Sequence, residues 1–352
     1  VQREADLVED VLRIYGYNNV EIPTQVRSTL SYAPKPDRNR LMNLAADFLT
    51  DNGFTEIMSN SLTKGAYYES LTSCPAARCV KILNPLSADL NVLRQTLLFH
   101  TMEAVQLNVN RRNGDLKLYE FGNCYFYDEA ARDAEKPLAA YSEEYRLAIA
   151  VTGTAVPQSW NEKPVVSSFF TLRAVAEKLL RRFGVDIYAM KSEAAPEDLF
   201  ADGMTLSING KPFVRMGVVA QRVRRMFDLK QEVYYLEMNF DMLIRMTRKH
   251  RIAYSELSKY PEVKRDLALL VDRSVTFAQL RQIAFAAERK LLKSVTLFDV
   301  YEGDKLPEGK KSYALSFVLE DKNRTLTDKE IERVMDNLQM QFERQAGATV
   351  RQ

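Results

Sequence analysis

The chain has 352 residues, 46% hydrophobic and 27% charged, with 49 Lys and Arg against 47 Asp and Glu for a formal net charge of +2. That length suits two or three domains, and the composition excludes a disordered, collagen-like or disulfide-scaffold chain. Near-neutrality confines any nucleic-acid contact to a local patch, three cysteines favour a reducing cytosol over an extracellular disulfide framework, and there is neither a transmembrane run nor a signal peptide.

Residues 5–15 read as an amphipathic helix with Leu7, Val8, Val11, Leu12 and Ile14 on one face and Gly16 as its stop. The chain opens without Met, at or near a helix start, and is expected to be the C-terminal fragment of a longer protein. Residues 18–37 carry Pro23, Pro34 and Pro36 and read as extended, and a second helix is expected over 38–51. Strands are expected at 55–61, 79–83, 116–127, 145–153, 204–209, 212–220 and 232–239, and helices at 96–111 and 167–183. Asn209-Gly210 tolerates the positive φ of a tight hairpin, which points to a largely antiparallel sheet. The stretch RMTRKHR, 245–251, reads as a solvated linker and a domain boundary.

The last hundred residues are the most regular. A strand at 265–272 precedes a helix at 276–291 with Thr276 and Gln279 spaced as a capping box. Strands at 294–302 and 312–320 follow. A second capping box, Thr327 with Glu330, opens a helix to about residue 344, and a short strand near 348–351 closes the order β-α-β-β-α-β. That order is the ferredoxin-like arrangement, so the fold class is α+β; the fold by itself names no function.

Asp6, Glu9 and Asp10 share one helical face at i, i+3 and i+4. Their mutual repulsion is relieved either by solvent and the helix dipole or by a hard cation such as Mg²⁺, and spacing alone favours solvent. Cys74, Cys79, Cys124 and His100 are too loosely spaced for zinc, and His250 reads as solvated. No nucleophile elbow, phosphate-binding glycine loop or HExxH occurs. Lys259, Lys264, Arg265, Lys310, Lys311 and Arg324, interleaved with Tyr260, Tyr301 and Tyr313, offer cations for phosphates and rings for bases. From Tyr254 onward, however, 17 Lys and Arg face 16 Asp and Glu, and that near-balance favours a generic solvated face.

The segments READLVEDVLRIYGYNNV, NPLSADLNVLRQTLLFHTMEAVQLNVNRR and LKLYEFGNCY, and then PEVKRDLALLVD, LFDVYEG, GKKSYALSF and DKNRTLTDKEI, resemble the β-subunit family of bacterial phenylalanine–tRNA ligases along the whole chain and in family order. The resemblance implies a domain tail over 1–22, a degenerate class II synthetase catalytic-like domain over 23–250 with an antiparallel sheet and flanking helices, and a ferredoxin-fold anticodon-binding domain over 254–352. It implies a cytoplasmic α2β2 heterotetramer in which the α subunit uses ATP to join phenylalanine to tRNA(Phe), while the β chain scaffolds α and reads the anticodon stem-loop. This chain alone is then expected to be inactive. LYEFG stands where class II enzymes carry an Arg/Glu-bearing motif, without its arginine, and no GxGxGxxR-like motif follows.

The resemblance also implies a Mg²⁺ site shared with α on the pattern D-x5-D-x2-E-E. Asp6, Glu9 and Asp10 take its last three positions, with Asp10 replacing Glu, and the first aspartate would precede Val1. RNA contact is implied for Lys259, Tyr260, Arg265, Lys310, Lys311 and Arg324. The family's HPGR-like and GELHP-like segments are replaced by FADGMTLSI and MGVVAQRV, so no contact carries over there. Its editing domain is expected upstream. Two other classes stay open: a stand-alone RNA-binding module, and an independent enzyme with an active site not recognised here.

Overall fold

A computed structural model describes residues 3–26, 28–30, 32, 35–248, 253–303 and 306–351. Clustering of its backbone divides the chain into Val1–Val185 with Ser192–Lys249, and Asp186–Lys191 with His250–Gln352.

Helix α1, Glu4–Tyr15, ends at Gly16, whose φ of 89° only glycine adopts readily. None of its residues is buried, so the expected apolar face lies open. Helix α2, Arg38–Asp51, starts where the Asp37 carboxylate accepts from the amides of Asn39 and Arg40. β1, Thr55–Glu56, is much shorter than the strand expected over 55–61. Ile57 still donates to Tyr119 O, but Ser59 then turns its amide and hydroxyl to the Glu120 carboxylate, which ends the ladder. β2, Leu62–Thr63, pairs with β3, Val92–Leu93. The strand expected over 79–83 is only an isolated bridge from Lys81 to Val92, because a 3-10 turn at Ala76–Arg78 ends at Cys79.

Helix α3, Leu98–Asn110, buries residues all along its first two turns. β4, Leu116–Tyr127, and β5, Tyr141–Thr152, form the longest ladder. The small hairpin of β6, Thr154–Val156, and β7, Val165–Val166, leads to α4, Phe169–Arg182, where Ser168 and Thr171 form a capping box. β8, Lys191–Ala194, β9, Phe200–Ile208, and β10, Lys211–Val219, follow. Asn209 and Gly210 join β9 to β10 with φ of 49° and 75°, the doubly left-handed turn the dipeptide anticipates. α5, Gln221–Met226, β11, Val233–Asn239, and α6, Phe240–Thr247, complete the unit.

The large sheet runs β1-β4-β5-β11-β10-β9-β8; β1 joins β4 in parallel, and the ladders from β4 through β9 are antiparallel. The linker expected from Arg245 starts later than supposed. Asn239 caps α6, Phe240, Leu243 and Ile244 are buried, and their anchorage carries the helix through Arg245–Thr247. Lys249, His250 and Arg251 of RMTRKHR lie outside the described residues.

The second unit contains β12, Val263–Asp272, α7, Phe277–Ala287, β13, Leu292–Tyr301, β14, Lys310–Leu319, α8, Asp328–Ala346, and β15, Thr349–Val350. Both anticipated capping boxes form. The antiparallel order β13-β14-β12-β15 is that of a ferredoxin fold. Leu269, Val271, Tyr313, Leu315 and Phe317 alternate toward Leu280, Ala284, Val334, Leu338 and Phe342 of the helices. Tyr188 packs its ring edge-on to Phe277, 6.1 Å away, beneath the Arg281 guanidinium. Among the described residues no helix is long and apolar enough to cross a membrane.

Candidate nucleic-acid interface

The three carboxylates of α1 stay where helical spacing puts them. Asp6 is half-buried and its Oδ2 accepts from the Arg3 amide at 3.3 Å, while Glu9 and Asp10 are exposed. Mg²⁺ asks for near-octahedral oxygen coordination. Among the described residues no three acidic, His or Cys side chains gather as a metal would require, so these residues are at most part of a donor set.

Inside the large unit, charge is spent on charge. Glu237 accepts from Thr96 Oγ1 at 2.6 Å, from the Leu97 amide at 2.9 Å and from Tyr235 OH at 2.6 Å, and pairs with Arg146. Burial pushes its carboxyl up, but Arg146 and those donors outweigh burial and hold it below the usual carboxylate range. Arg146 also binds Glu144 at 2.7 Å and Gln95 O at 3.3 Å. One strand pair away, Arg94 meets Glu120 at 2.8 Å, with side chains 4% and 1% exposed. Arg94 donates further to Asn123 O and Asn60 O. Glycine at 122 is required by this approach: a Cβ there would lie 2.1 Å from Arg94 Nη2.

Glu120 and Gly122 belong to the LYEFG stretch, so that segment works as the anchor of a buried ion pair. Sequence reasoning passed over Arg94, Arg146, Glu120 and Glu237; the available signal was a charged residue interrupting an apolar alternation on β4, β5 and β11. All three cysteines are buried, and burial pushes the Cys74 thiol up to about 11 and raises Cys79 and Cys124 as well, which keeps them protonated at neutral pH. Burial lowers His100, whose Nε2 lies 3.2 Å from Leu62 O.

The residues singled out for RNA in the second unit fall into two groups. Lys259 and Tyr260 lie just ahead of β12 and Arg265 near its start, with Arg324 in the loop that leaves β14. Lys310 and Lys311 sit at the other end, where Asp272 pairs with Lys310 and Val271 with Lys311. Seven residue steps along β12 separate Arg265 from Asp272, roughly 23 Å at strand rise.

Exposure differs too. Arg265 is exposed, and its Nη1 donates to Lys264 O. Arg324 is exposed and paired with Glu330 at 2.6 Å and Asp321 at 3.4 Å. Lys310 pairs with Asp272 at 2.7 Å. Lys311 is only 8% exposed, because strand alternation turns it to the helix-covered face, where its ammonium lies 4.6 Å over the Tyr313 ring. The six residues therefore do not form one continuous patch.

The chain thus joins a large, mainly antiparallel sheet with packed helices to a ferredoxin-fold unit with exposed cations at one end of its own sheet. Two family models match: the phenylalanyl-tRNA synthetase beta chain CLM domain over residues 22–240, and the ferredoxin-fold anticodon binding domain over 258–351. The chain belongs to the phenylalanyl-tRNA synthetase beta chain family. It is 46% identical to the phenylalanine–tRNA ligase beta subunit of Bacteroides fragilis, 47% to that of Bacteroides thetaiotaomicron and 41% to that of Porphyromonas gingivalis, in each case over 353 aligned residues covering 100% of this chain and 43% of the relative. The chain thus spans under half the length of these relatives. A solved pyrrolysyl-tRNA synthetase from Desulfitobacterium hafniense superposes with a TM-score of 0.45 at 12% identity, over 60% of this chain and 69% of that one.

Proposed function

We propose that this chain serves in the β subunit of a cytoplasmic phenylalanine–tRNA ligase. Its class II-like domain, 23–250, scaffolds the α subunit of an α2β2 enzyme, and its ferredoxin-fold domain, 254–352, holds the anticodon stem-loop of tRNA(Phe). The α subunit uses ATP and carries out aminoacylation. The observation that supports this reading most is the ferredoxin-fold unit with Lys259, Tyr260, Arg265 and Arg324 at one end of its sheet. Exposed cations there can meet phosphates while Tyr260 offers a face to a base. Lys310 stands apart at the far end of the sheet, and Lys311, turned to the helix-covered face, is not counted among the RNA-facing residues.

In the same reading, Asp6, Glu9 and Asp10 supply part of a Mg²⁺ site whose remaining ligands lie outside this chain, on preceding residues and on α. Isothermal titration should then show weak or no Mg²⁺ binding by the 352-residue chain, and binding by the assembled enzyme. Tight binding by the chain alone would refute a shared site.

The deciding experiment for RNA is a salt series of stem-loop binding to the whole chain. Arg265→Glu should weaken binding at least tenfold at low salt and flatten the salt dependence by about one phosphate's worth. Lys310→Glu separates the two ends. A loss as large as that from Arg265→Glu would move the contact to the Lys310 end, and no loss from either would sink the anticodon reading.

A further inference from the structure

Three loops of the large unit converge at one end of its sheet. Register sets Leu116, at the start of β4, and Val233, at the start of β11, both opposite Thr152 at the end of β5. The Gln231 amide ties the loops together by donating to Gly114 O at 2.9 Å and to Thr152 Oγ1 at 2.7 Å. The β6–β7 hairpin leaves from the same place. Gly153, with φ of 74°, lies so close to the α3–β4 turn that a Cβ would stand 2.5 Å from Gly114 O, and the Thr154 amide donates to Asp115 Oδ1 at 2.7 Å.

These loops are rich in positive charge. Residues 111–117, 153–166 and 221–232 hold eight Lys and Arg against four Asp and Glu, a larger excess than the formal +2 of the whole chain. Two of the four carboxylates are engaged, Asp115 by Thr154 and Glu232 by Tyr234 OH at 2.5 Å. Arg224 is spent on the carbonyls of Val219, Lys230 and Gln231, which shapes a cavity of about 330 Å³ edged by Arg225, Asp228 and Lys230. Arg111, Arg112, Arg225 and Lys230 are exposed and have no acidic partner among the described residues. The chain's one tryptophan, Trp160, lies in the β6–β7 connection and is 97% exposed.

We propose that this end of the large unit is a second RNA-contact surface, with Arg111, Arg112, Arg225 and Lys230 taking backbone phosphates and Trp160 stacking on an unpaired base. Clustered cations that outnumber the local carboxylates gain most from a polyanion. Guanidinium forks suit phosphate oxygens, and an indole standing in water gains from a base's π-face. An acidic protein would answer the cations and leave the indole without a stacking partner. The proposal uses none of the residues of the anticodon reading and goes beyond it.

The test titrates the 352-residue chain separately with a tRNA(Phe) transcript and with its isolated anticodon stem-loop, following Trp160 emission and affinity. The whole tRNA should quench the emission, and the stem-loop should bind without quenching. R112E/R225E should raise the Kd for whole tRNA at least tenfold and lower its salt slope by about one to two. Stem-loop binding and the melting curve should not change. R112Q/R225Q should lose affinity in the same direction but less, and W160A about tenfold or more. Unchanged emission with unchanged affinity of R112E/R225E overturns the proposal, as does equal quenching by polyglutamate, which would assign the surface to an acidic protein. Loss of stem-loop binding alone would count against the anticodon reading and not against this one.

Discussion

In the large unit Arg94, Glu120, Arg146 and Glu237 lie inside, each bonded to an opposite charge and to fixed polar groups of neighbouring segments. In the ferredoxin-fold unit Lys259, Arg265 and Arg324 stand in solvent, and Lys310 shares a half-exposed pair with Asp272. The same residue types thus do different work. A buried pair is stiff, insensitive to salt and silent toward a partner, and it fixes how neighbouring segments meet. An exposed cation adds little to stability, is screened by salt, and is available to a phosphate.

Removing one partner of a buried pair is where this contrast should be largest. Arg94→Ala leaves Glu120 charged, buried and served only by Ser59, which should cost about 3–5 kcal/mol in a urea melt. Lys310→Ala, which breaks a pair whose side chains are 32% and 56% exposed, should stay within about 0.5 kcal/mol after solvent screening. Equal losses would erase the distinction between the units. Next in size is Gly122→Ala, whose Cβ would collide with the Arg94 guanidinium inside the same packed layer and should cost about 1–3 kcal/mol.

The pH dependence should separate the units again. Arg146 and the donors around it hold the folded pKa of Glu237 below that of a free glutamate, so its contribution is present in full above the unfolded value and is lost as pH falls through the lower, folded one. In urea melts at stepped pH, the gap between the wild-type chain and Glu237→Gln should therefore be widest at neutral pH and narrow below about pH 4.5. A gap that grows on acidification would reverse the sign and break the account of Glu237 as a stabilised anion.

The ferredoxin-fold unit was the more legible of the two in sequence because its signals are local: two capping boxes, period-2 strands and an amphipathic stripe on α8. Register was not readable, and it is register that parts Arg265 from Lys310 and turns Lys311 inward. In the large unit the hairpin at Asn209-Gly210 and the long helices were readable, whereas β1 was overdrawn because Ser59 prefers a carboxylate 61 residues away to the ladder. Helix α6 was missed because the positive charges of RMTRKHR mask a short helix held by Phe240, Leu243 and Ile244. Family motifs carried the functional reading of Asp6, Glu9 and Asp10, since spacing alone left them to solvent.

The smallest expected effect concerns Arg324, which stands at the proposed RNA end already engaged. Its guanidinium, together with the amide and hydroxyl of Thr327, holds the Glu330 carboxyl down to about 2. A phosphate must therefore compete with Glu330, and with Asp321, for the same donors. Glu330→Gln keeps an acceptor for the Thr327 capping box and removes the competing charge. Stem-loop affinity at low salt should then rise by about two- to threefold, in line with the modest worth of an exposed pair, and the gain should fade as salt is added. Arg324→Gln should lower affinity and abolish the gain in the double variant. If Glu330→Gln tightens binding equally with Arg324 absent, the effect is general charge and Arg324 is not a contact. The exposed cations of this unit would then differ from the buried ones only in location, and not in being available for RNA.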